Sequence, residues 1–576
     1  MSSLRPPGLG PIVGHTTHDS CRLWIRAGDP GDSGASLDSD RRTLGVLGVL
    51  NAAGKIDKAY YFRLPREFDR TGTFWLGRDV ALGHHEKDAV PKSKQDKPFR
   101  LKPDTEYTVR LGTITVDDPM PDAESISDRE LADRLPLIDN IADELLALRA
   151  EDSEAKFRTF PESAKSASSL AFLIGSCRYP GLLWKIKEAD RIFKPMLEHF
   201  APDRSDGACR FTVMMGDQIY ADMLNRFVPI ALADTYEEFQ ERYISAFNAP
   251  NLRRLLKKSP TYMAIDDHEI EDNWSQDRLR DSGKHQVFNL AIGAYMSYQW
   301  SHGPRSWGRN LYYKFECGGY PFFALDTRTQ RFVDDAEGLR DNHLLGRPSI
   351  DPVYPGQLRL LLDWLGEQQK NRGNIPKFVV SASVFAPNSI DERIDPALLP
   401  AGQEGESALL FEANRRRREK SDSWPAFPIT RGTILKYIVE NRIQNVVFLT
   451  GDIHCANIAR IEFAGAPDLK HLFVHDITSS AFYWPFPFAD GDPNSYVHDS
   501  TLEGQIDRFP ILGTNVEANY RSWGYTQEDN FCRVELDKDK HSLRVQVFDR
   551  DGGQVKVTND RGTLVKENTL SLAAWD

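Results

Sequence analysis

The chain has few cysteines, no long apolar run and no excess of basic charge. Its six cysteines, Cys21, Cys177, Cys209, Cys317, Cys455 and Cys532, are spread over 576 residues without a C-x-x-C pair. That is too sparse for a disulfide framework. Most read as small buried hydrophobes; Cys177 stands apart because of where it falls. No apolar stretch approaches the roughly 20 residues of a spanning helix, so no membrane span is expected. The amino terminus, M-S-S-L-R-P-P-G-L-G, lacks the charged segment and following apolar segment of a secretory signal. The expectation is a soluble, cytoplasmic protein. Against 84 Asp+Glu there are only 72 Lys+Arg, a formal charge of −12. That balance disfavours nucleic acid as a stoichiometric partner. No solenoid or propeller repeat is visible.

What is present has room for two or more domains. Residues 8–160 read as all-β with an interruption. S-C-R-L-W-I-R (20–26) alternates polar and apolar, predicting a half-buried strand; 60–64 and 73–76 are similar. In L-K-P-D-T-E-Y-T-V-R-L (101–111), Tyr107 follows a proline-containing corner and enters an alternating strand. That is the pattern of the tyrosine corner in an immunoglobulin or fibronectin-III sandwich. Residues 118–154 are acidic, with Leu131, Leu135, Leu137 and Ile141 near helical spacing. They read as a helical insertion before a last strand at 155–160. A small polar linker at 163–169 places a β-sandwich domain at 1–163 and a second domain at 164–576.

From residue 170 strands and helices alternate. Strands are expected at 211–215, 262–265, 321–326, 378–383 and 446–450. Helices are expected at 185–200, 235–247, 285–300, 356–369 and 431–441. This predicts an α/β layer fold, with a hairpin of 531–536 and 541–548 closing the chain. Residues 331–351 and 388–428 read as long excursions. The four arginines at 415–418 read as a solvated helix face, or more sharply as a clamp for a polyanionic phosphate.

Chemistry is concentrated at the ends of apolar runs. L-A-F-L-I-G-S-C (170–177), T-V-M-M-G-D-Q-I-Y (212–220) and N-V-V-F-L-T-G-D-I-H (445–454) each end in metal-ligand residue types, and D-D-H-E-I-E-D-N-W (266–274) follows another short apolar run. Buried parallel strands read as continuous apolar runs, and open α/β sheets carry ligands at the carboxyl ends of strands. Asp217, after Gly216, can bridge two cations with its two oxygens. Tyr220 can add a phenolate and Cys177 a thiolate, a set favouring a strongly Lewis-acidic ion such as ferric iron. Asp452 and His454 are two apart, so an extended segment points both to one side. Asn273 can offer an amide oxygen to a second, harder ion. His268 is placed to act as a general acid.

Together, G-S-C, G-D-Q-I-Y, D-D-H-E-x-x-D-N-W, L-D-T-R and T-G-D-I-H resemble the PhoD-type alkaline phosphatase/phosphodiesterase family. That family belongs with the purple-acid-phosphatase-like metallophosphoesterases. The resemblance covers roughly residue 170 to the end. It implies an immunoglobulin-like sandwich followed by a two-sheet α/β sandwich, an α/β (α+β) fold. It also implies ferric-iron ligands at Cys177, Asp217, Tyr220 and His454. Calcium would be shared by Asp217 with Asn273 and Asp452, zinc or manganese being the weaker fit. His268 and Asp267 match positions close to substrate, and Arg328 and Arg178 are candidates to clamp phosphate oxygens. The implied activity is hydrolysis of a small-molecule phosphoester by a hydroxide held between the metals, on diesters with overlapping monoesterase activity. The alternative is a non-catalytic metal-binding scaffold or an interaction protein that binds a partner through the β-sandwich; a third option, a cyclic-nucleotide or nucleotide-releasing phosphodiesterase, shares the chemistry and differs in the loops.

Overall fold

A computed structural model of the chain describes residues 4–28, 41–79, 98–117, 134–136, 138–162, 167–181, 187–222, 232–306, 310–333, 343–347, 355–386, 423–486, 500–503, 507–511 and 513–576. The four arginines at 415–418 and most of 331–351 and 388–428 lie outside these residues.

The alternating segments near the amino terminus pair into two antiparallel sheets. Leu9–Thr16, Cys21–Arg26 and Thr71–Leu76 form a three-stranded sheet. Ile56–Arg63, Arg41–Leu50, Glu106–Asp117 and Glu154–Arg158 form, in that order, a four-stranded one. Leu23, Ile25, Leu47, Tyr60 and Phe74 fill the space between them. The Lys102 N–H donates to the Tyr107 hydroxyl at 2.8 Å, closing the predicted tyrosine corner. Tyr107→Phe removes this acceptor. Its expected cost is about 1 kcal/mol, read as a lowered denaturation midpoint.

The helix Ile138–Ala147 presses Ile141 and Leu145 onto the outer face of the four-stranded sheet, against Leu44, Val46 and Ile114. The insertion therefore covers the sandwich. Its first part, 118–133, and Leu131 and Leu137 lie outside the described residues.

One expectation here is corrected. The strand Cys21–Arg26 is buried at all six positions rather than on one face. The alternation is real, but both faces are covered. Leu23 and Ile25 face the sandwich core. On the other side the Trp24 indole donates to the Ser297 carbonyl at 2.9 Å, and Arg22 Nη1 to the Ser301 carbonyl at 3.2 Å. A helix from the following region, Ser282–Tyr298, thus supplies the second cover.

Beyond residue 167 two larger sheets stack face to face. The six-stranded sheet runs Thr261–Met263, Thr212–Met214, Ser169–Gly175, Asn530–Asp537, Ser542–Asp549, Asn568–Ser571. Its first three strands are parallel. The eight-stranded sheet runs Tyr313–Cys317, Tyr320–Ala324, Lys377–Ser381, Val446–Thr450, Phe473–Ser479, Ala456–Ala464, Glu517–Thr526, Asp507–Pro510. Its second to fifth strands are parallel. Phe172, Phe211, Phe322 and Phe378 interlock between the sheets, with the rings of Phe172 and Phe211 at 5.0 Å and of Phe322 and Phe378 at 4.6 Å. Helices Tyr236–Phe247 and Ser282–Tyr298 cover the outside of the six-stranded sheet. Gln357–Arg372 and Pro428–Glu440 cover the eight-stranded one.

The expected helix at 185–200 is two short helices, Glu188–Arg191 and Phe193–Glu198. Pro195 has no N–H to give to a preceding turn, so it sits in the first turn of the second helix. The expected terminal hairpin exists, but its first strand pairs with Ser169–Gly175 and its second with Asn568–Ser571. No helix among the described residues is long and apolar enough to cross a membrane.

Candidate metal centre and its surroundings

The parallel strands of both sheets end at one place. Ser169–Gly175 leads to Cys177, Thr212–Met214 to Asp217 and Tyr220, and Thr261–Met263 to Asp266, Asp267 and His268. From the other sheet, Val446–Thr450 leads to Asp452 and His454, and Tyr320–Ala324 to Arg328. Gly216, at φ +106°, allows the approach, because a Cβ there would meet the Asp266 Cβ at 2.4 Å. Gly451 is as tightly placed: a Cβ would lie 2.4 Å from Ser176 Oγ.

Five of the residues named from sequence adopt left-handed backbone: Cys177 (φ 57°), Asp217 (57°), Asn273 (53°), Asp452 (76°) and His454 (53°). Side chains with a Cβ rarely adopt it, and such residues gather at functional sites. Asp452 and His454 therefore reach the site by turns, rather than by the extended alternation expected of them.

Donor atoms of Cys177, Asp217 and His454 all lie within 4.8 Å of one another. The Tyr220 hydroxyl donates to Asp217 Oδ2 at 3.2 Å, so four of the predicted ligands meet. A second group, at the same spacing, holds Asp217, Asp266, Asp267 and Asp452. A third joins Asp217, Asp267 and His268. Asp217 is common to all three, 1% exposed, and its Oδ1 has no hydrogen-bond partner.

Charge in the cluster is frustrated. Burial pushes the Cys177 thiol well up, and Asp217 and Asp452 add to it against the Ser176 and Ser480 hydroxyls. Burial, then Asp217 and Cys177, likewise raises Tyr220. Burial also raises Asp217, with Asp266, Asp267 and Glu269 acting the same way and His268 opposing. A cation held here would invert this order, since a coordinating thiol ionises outright. His454 is drawn down to about 3, chiefly by burial and then by His268. That shift favours the neutral imidazole, the form that ligates, and the buried Nε2 has no hydrogen-bond partner.

His268 behaves oppositely. Burial lowers its pKa, but Asp222, Asp267 and Asp217 outweigh burial and carry it well above the ordinary value. Its Nδ1 lies 2.6 Å from Asp222 Oδ1, and its ring stacks on Tyr220 at 4.2 Å.

Three placements differ from expectation. Asn273 is exposed; its amide donates to Asp272 at 3.0 Å, and its backbone N–H holds Asp267 at 2.6 Å. The oxygen beside Asp217 and Asp452 comes instead from Asp266 and Asp267. Arg328 is fully buried, with Nε on Asp266 and Nη2 at 3.1 Å from Asp452 and 3.6 Å from Asp267. It ties the acidic loops together rather than standing open as a clamp. Arg178 lies over the Phe193 ring at 5.9 Å, with Asp190 as its charge partner, while its backbone N–H donates to the Asp217 carbonyl.

Sequence reasoning missed Asp266, Asp222 and Glu269. The first and third were visible within D-D-H-E, where only the middle residues were assigned. Asp222, two residues past Tyr220, carried no local signal. Glu269 is buried and accepts from the backbone N–H groups of Asp217 (3.1 Å), Gln218 (2.8 Å) and Asp266 (2.9 Å), binding two ligand loops to one carboxylate.

The chain is 22% identical over 321 residues to alkaline phosphatase D of Bacillus subtilis (strain 168), covering 52% of this chain and 48% of that protein. It thus spans about half the length of that curated relative. A solved structure of PhoD superposes with a TM-score of 0.58 at 16% identity, covering 97% of this chain and 89% of that one. A purple acid phosphatase from yellow lupin (Lupinus luteus) seeds aligns with a TM-score of 0.46 at 10% identity, covering 99% of this chain and 74% of that one. The family model for PhoD-like phosphatase matches residues 191–541, which include every loop of the cluster except that of Cys177, and the chain belongs to that family.

Proposed function

We propose that the chain is a metal-dependent hydrolase of small-molecule phosphoesters, acting on diesters with overlapping monoesterase activity. In this reading residues 1–163 and 164–576 are separate domains, a division supported by the absence of a sheet shared between them among the described residues. The observation that carries the function is the meeting of thiol, carboxylate, phenol and neutral imidazole at Cys177, Asp217, Tyr220 and His454. That donor set suits ferric iron. The oxygen-only group of Asp217, Asp266, Asp267 and Asp452 suits calcium. The orphaned Asp217 Oδ1 and His454 Nε2 support Asp217 and His454 as residues that would hold a cation. When bound, such ions supply Lewis-acid polarisation of the phosphoryl group and a more acidic attacking water.

The chain's own residues do the rest. Asp222 holds Nδ1 of His268, so the proton available for a leaving-group oxygen is the one on Nε2. Arg328 and Glu269 fix the acidic loops. Trp484 packs flat on His454, ring centroids 3.6 Å apart, and shields one side of that imidazole from water.

Elemental analysis, visible absorption and turnover of bis-p-nitrophenyl phosphate test the reading together. Iron near one equivalent, a tyrosinate-to-iron band and hydrolysis are expected. Tyr220→Phe is expected to abolish the band, and a variant that stayed coloured would remove Tyr220 from the ligand set. Stoichiometric metal with no turnover of any ester would favour the scaffold.

A further inference from the structure

The segment after the strand Phe473–Ser479 returns past the Cys177 loop and leaves two aromatic side chains half-buried beside the metal cluster, Trp484 and Phe486. Their position is fixed. The Tyr179 N–H donates to the Tyr483 carbonyl at 3.1 Å, and the Tyr483 N–H to the Cys177 carbonyl at 3.3 Å. The Trp484 N–H donates to Asp529 Oδ1 at 3.0 Å. The rings of Trp484 and Phe486 lie 5.4 Å apart, and both meet Tyr179 edge-on, at 5.5 and 5.1 Å. Trp484 is stacked on His454 on one side and lies 6.2 Å from the Tyr220 ring on another. Tyr220 in turn carries His268. The aromatic pair is therefore continuous with the ring of the proposed general acid.

We propose that Trp484 and Phe486 form a subsite that binds a planar aromatic group on the leaving-alcohol side of the ester. The inference rests on the hydrolase reading and adds a substrate class to it: aryl, benzyl or nucleoside phosphoesters, all sharing a π face. His268, Tyr220 and Trp484 lie in sequence along one side of the cluster, so an ester group lying against His268 continues onto the aromatic pair. A ring attached to that oxygen meets apolar, π-rich surface there, while an alkyl group of equal size gains the burial without the stacking. The platform is tied by backbone bonds to the loop of a proposed metal ligand, so it is preorganised and its stacking is not offset by ordering.

The test compares equilibrium binding of benzylphosphonate and cyclohexylmethylphosphonate, which are similar in size and charge and cannot be hydrolysed. Calorimetry is expected to show benzylphosphonate binding roughly tenfold tighter, the scale of one base–aromatic stack. Phe486→Leu is expected to bring the ratio near one, and Phe486→Tyr, which restores a ring, to recover it. Equal affinities in the parent protein, or a ratio that survives Phe486→Leu, would overturn the subsite. Hydrolysis assays of thymidine 5′-phosphate and its abasic counterpart form a second arm, with the 5′-oxygen as the single leaving oxygen and only the base removed. A lower KM for the thymidine ester would assign the platform to nucleosides, and equal KM values to aryl and benzyl groups. A benzyl preference in binding with no ester turned over would sink the hydrolase reading while the subsite stood. Turnover with no preference would sink the subsite alone.

Discussion

Asp217→Asn is expected to lower phosphoester turnover by roughly 10³-fold or more, the scale of losing a preorganised charge at a reacting centre. Asp217 belongs to each of the three donor groups, so its loss strikes both proposed cation positions at once. The amide also replaces one of the two anionic oxygens beside the Tyr220 hydroxyl by a donor and removes the negative charge. The fold should persist. Asparagine has the same shape, tolerates the left-handed backbone at φ 57°, and keeps the N–H that Glu269 accepts. Steady-state kinetics, iron content and a thermal melt should show activity and metal falling together with little change in the melt. A variant with near-parental turnover would show that the chemistry lies elsewhere.

Asp222→Asn should give the second largest effect, with a distinctive pH signature. Asp222 is the strongest of the carboxylates that raise His268 against the pull of burial. A general acid works below its own pKa, so the parent should hold its rate into alkaline solution and lose it as His268 deprotonates. Removing Asp222 lowers that pKa and moves the alkaline limb toward neutral pH. The same sign applies to stability. The His268–Asp222 pair contributes fully below the unfolded histidine pKa, and its contribution fades as pH rises through the higher folded value. The expected loss at alkaline pH is about 10²-fold for esters of simple alcohols, the lower range of general acid catalysis. Esters of p-nitrophenol, whose leaving group needs no proton, should lose far less. An equal loss on both, with no movement of the limb, would remove His268 from the acid role.

These effects depend on residues of unequal visibility. The strands Ser169–Gly175, Thr212–Met214 and Val446–Thr450 carry unbroken apolar runs, so their carboxyl ends, and with them Cys177, Asp217, Tyr220, Asp452 and His454, stood out in the primary structure. Strands such as Ala456–Ala464 and Phe473–Ser479 did not, because Arg460, Glu462, His475 and Asp476 interrupt the apolar pattern. The buried state of Cys21–Arg26 depends on a helix more than 250 residues away, and no local window contains it. Asp222 and Arg328 show the same limit within the site. A carboxylate that holds a histidine and a guanidinium that gathers three acids are defined by partners remote in sequence.

The left-handed residues of the site set stability against function. A backbone at φ near 55° costs a residue with a Cβ up to about 1–2 kcal/mol, least for asparagine and aspartate, a penalty glycine escapes. Asn273 is exposed, so glycine there would relieve the strain without opening a cavity. At Asp452 the same exchange would relieve strain while deleting a donor. Laboratory evolution for heat resistance alone would therefore drift toward glycine at these turns, yielding robust proteins with eroded metal affinity. Thermostabilised variants of this chain should be ranked by metal retention before they are ranked by melting temperature.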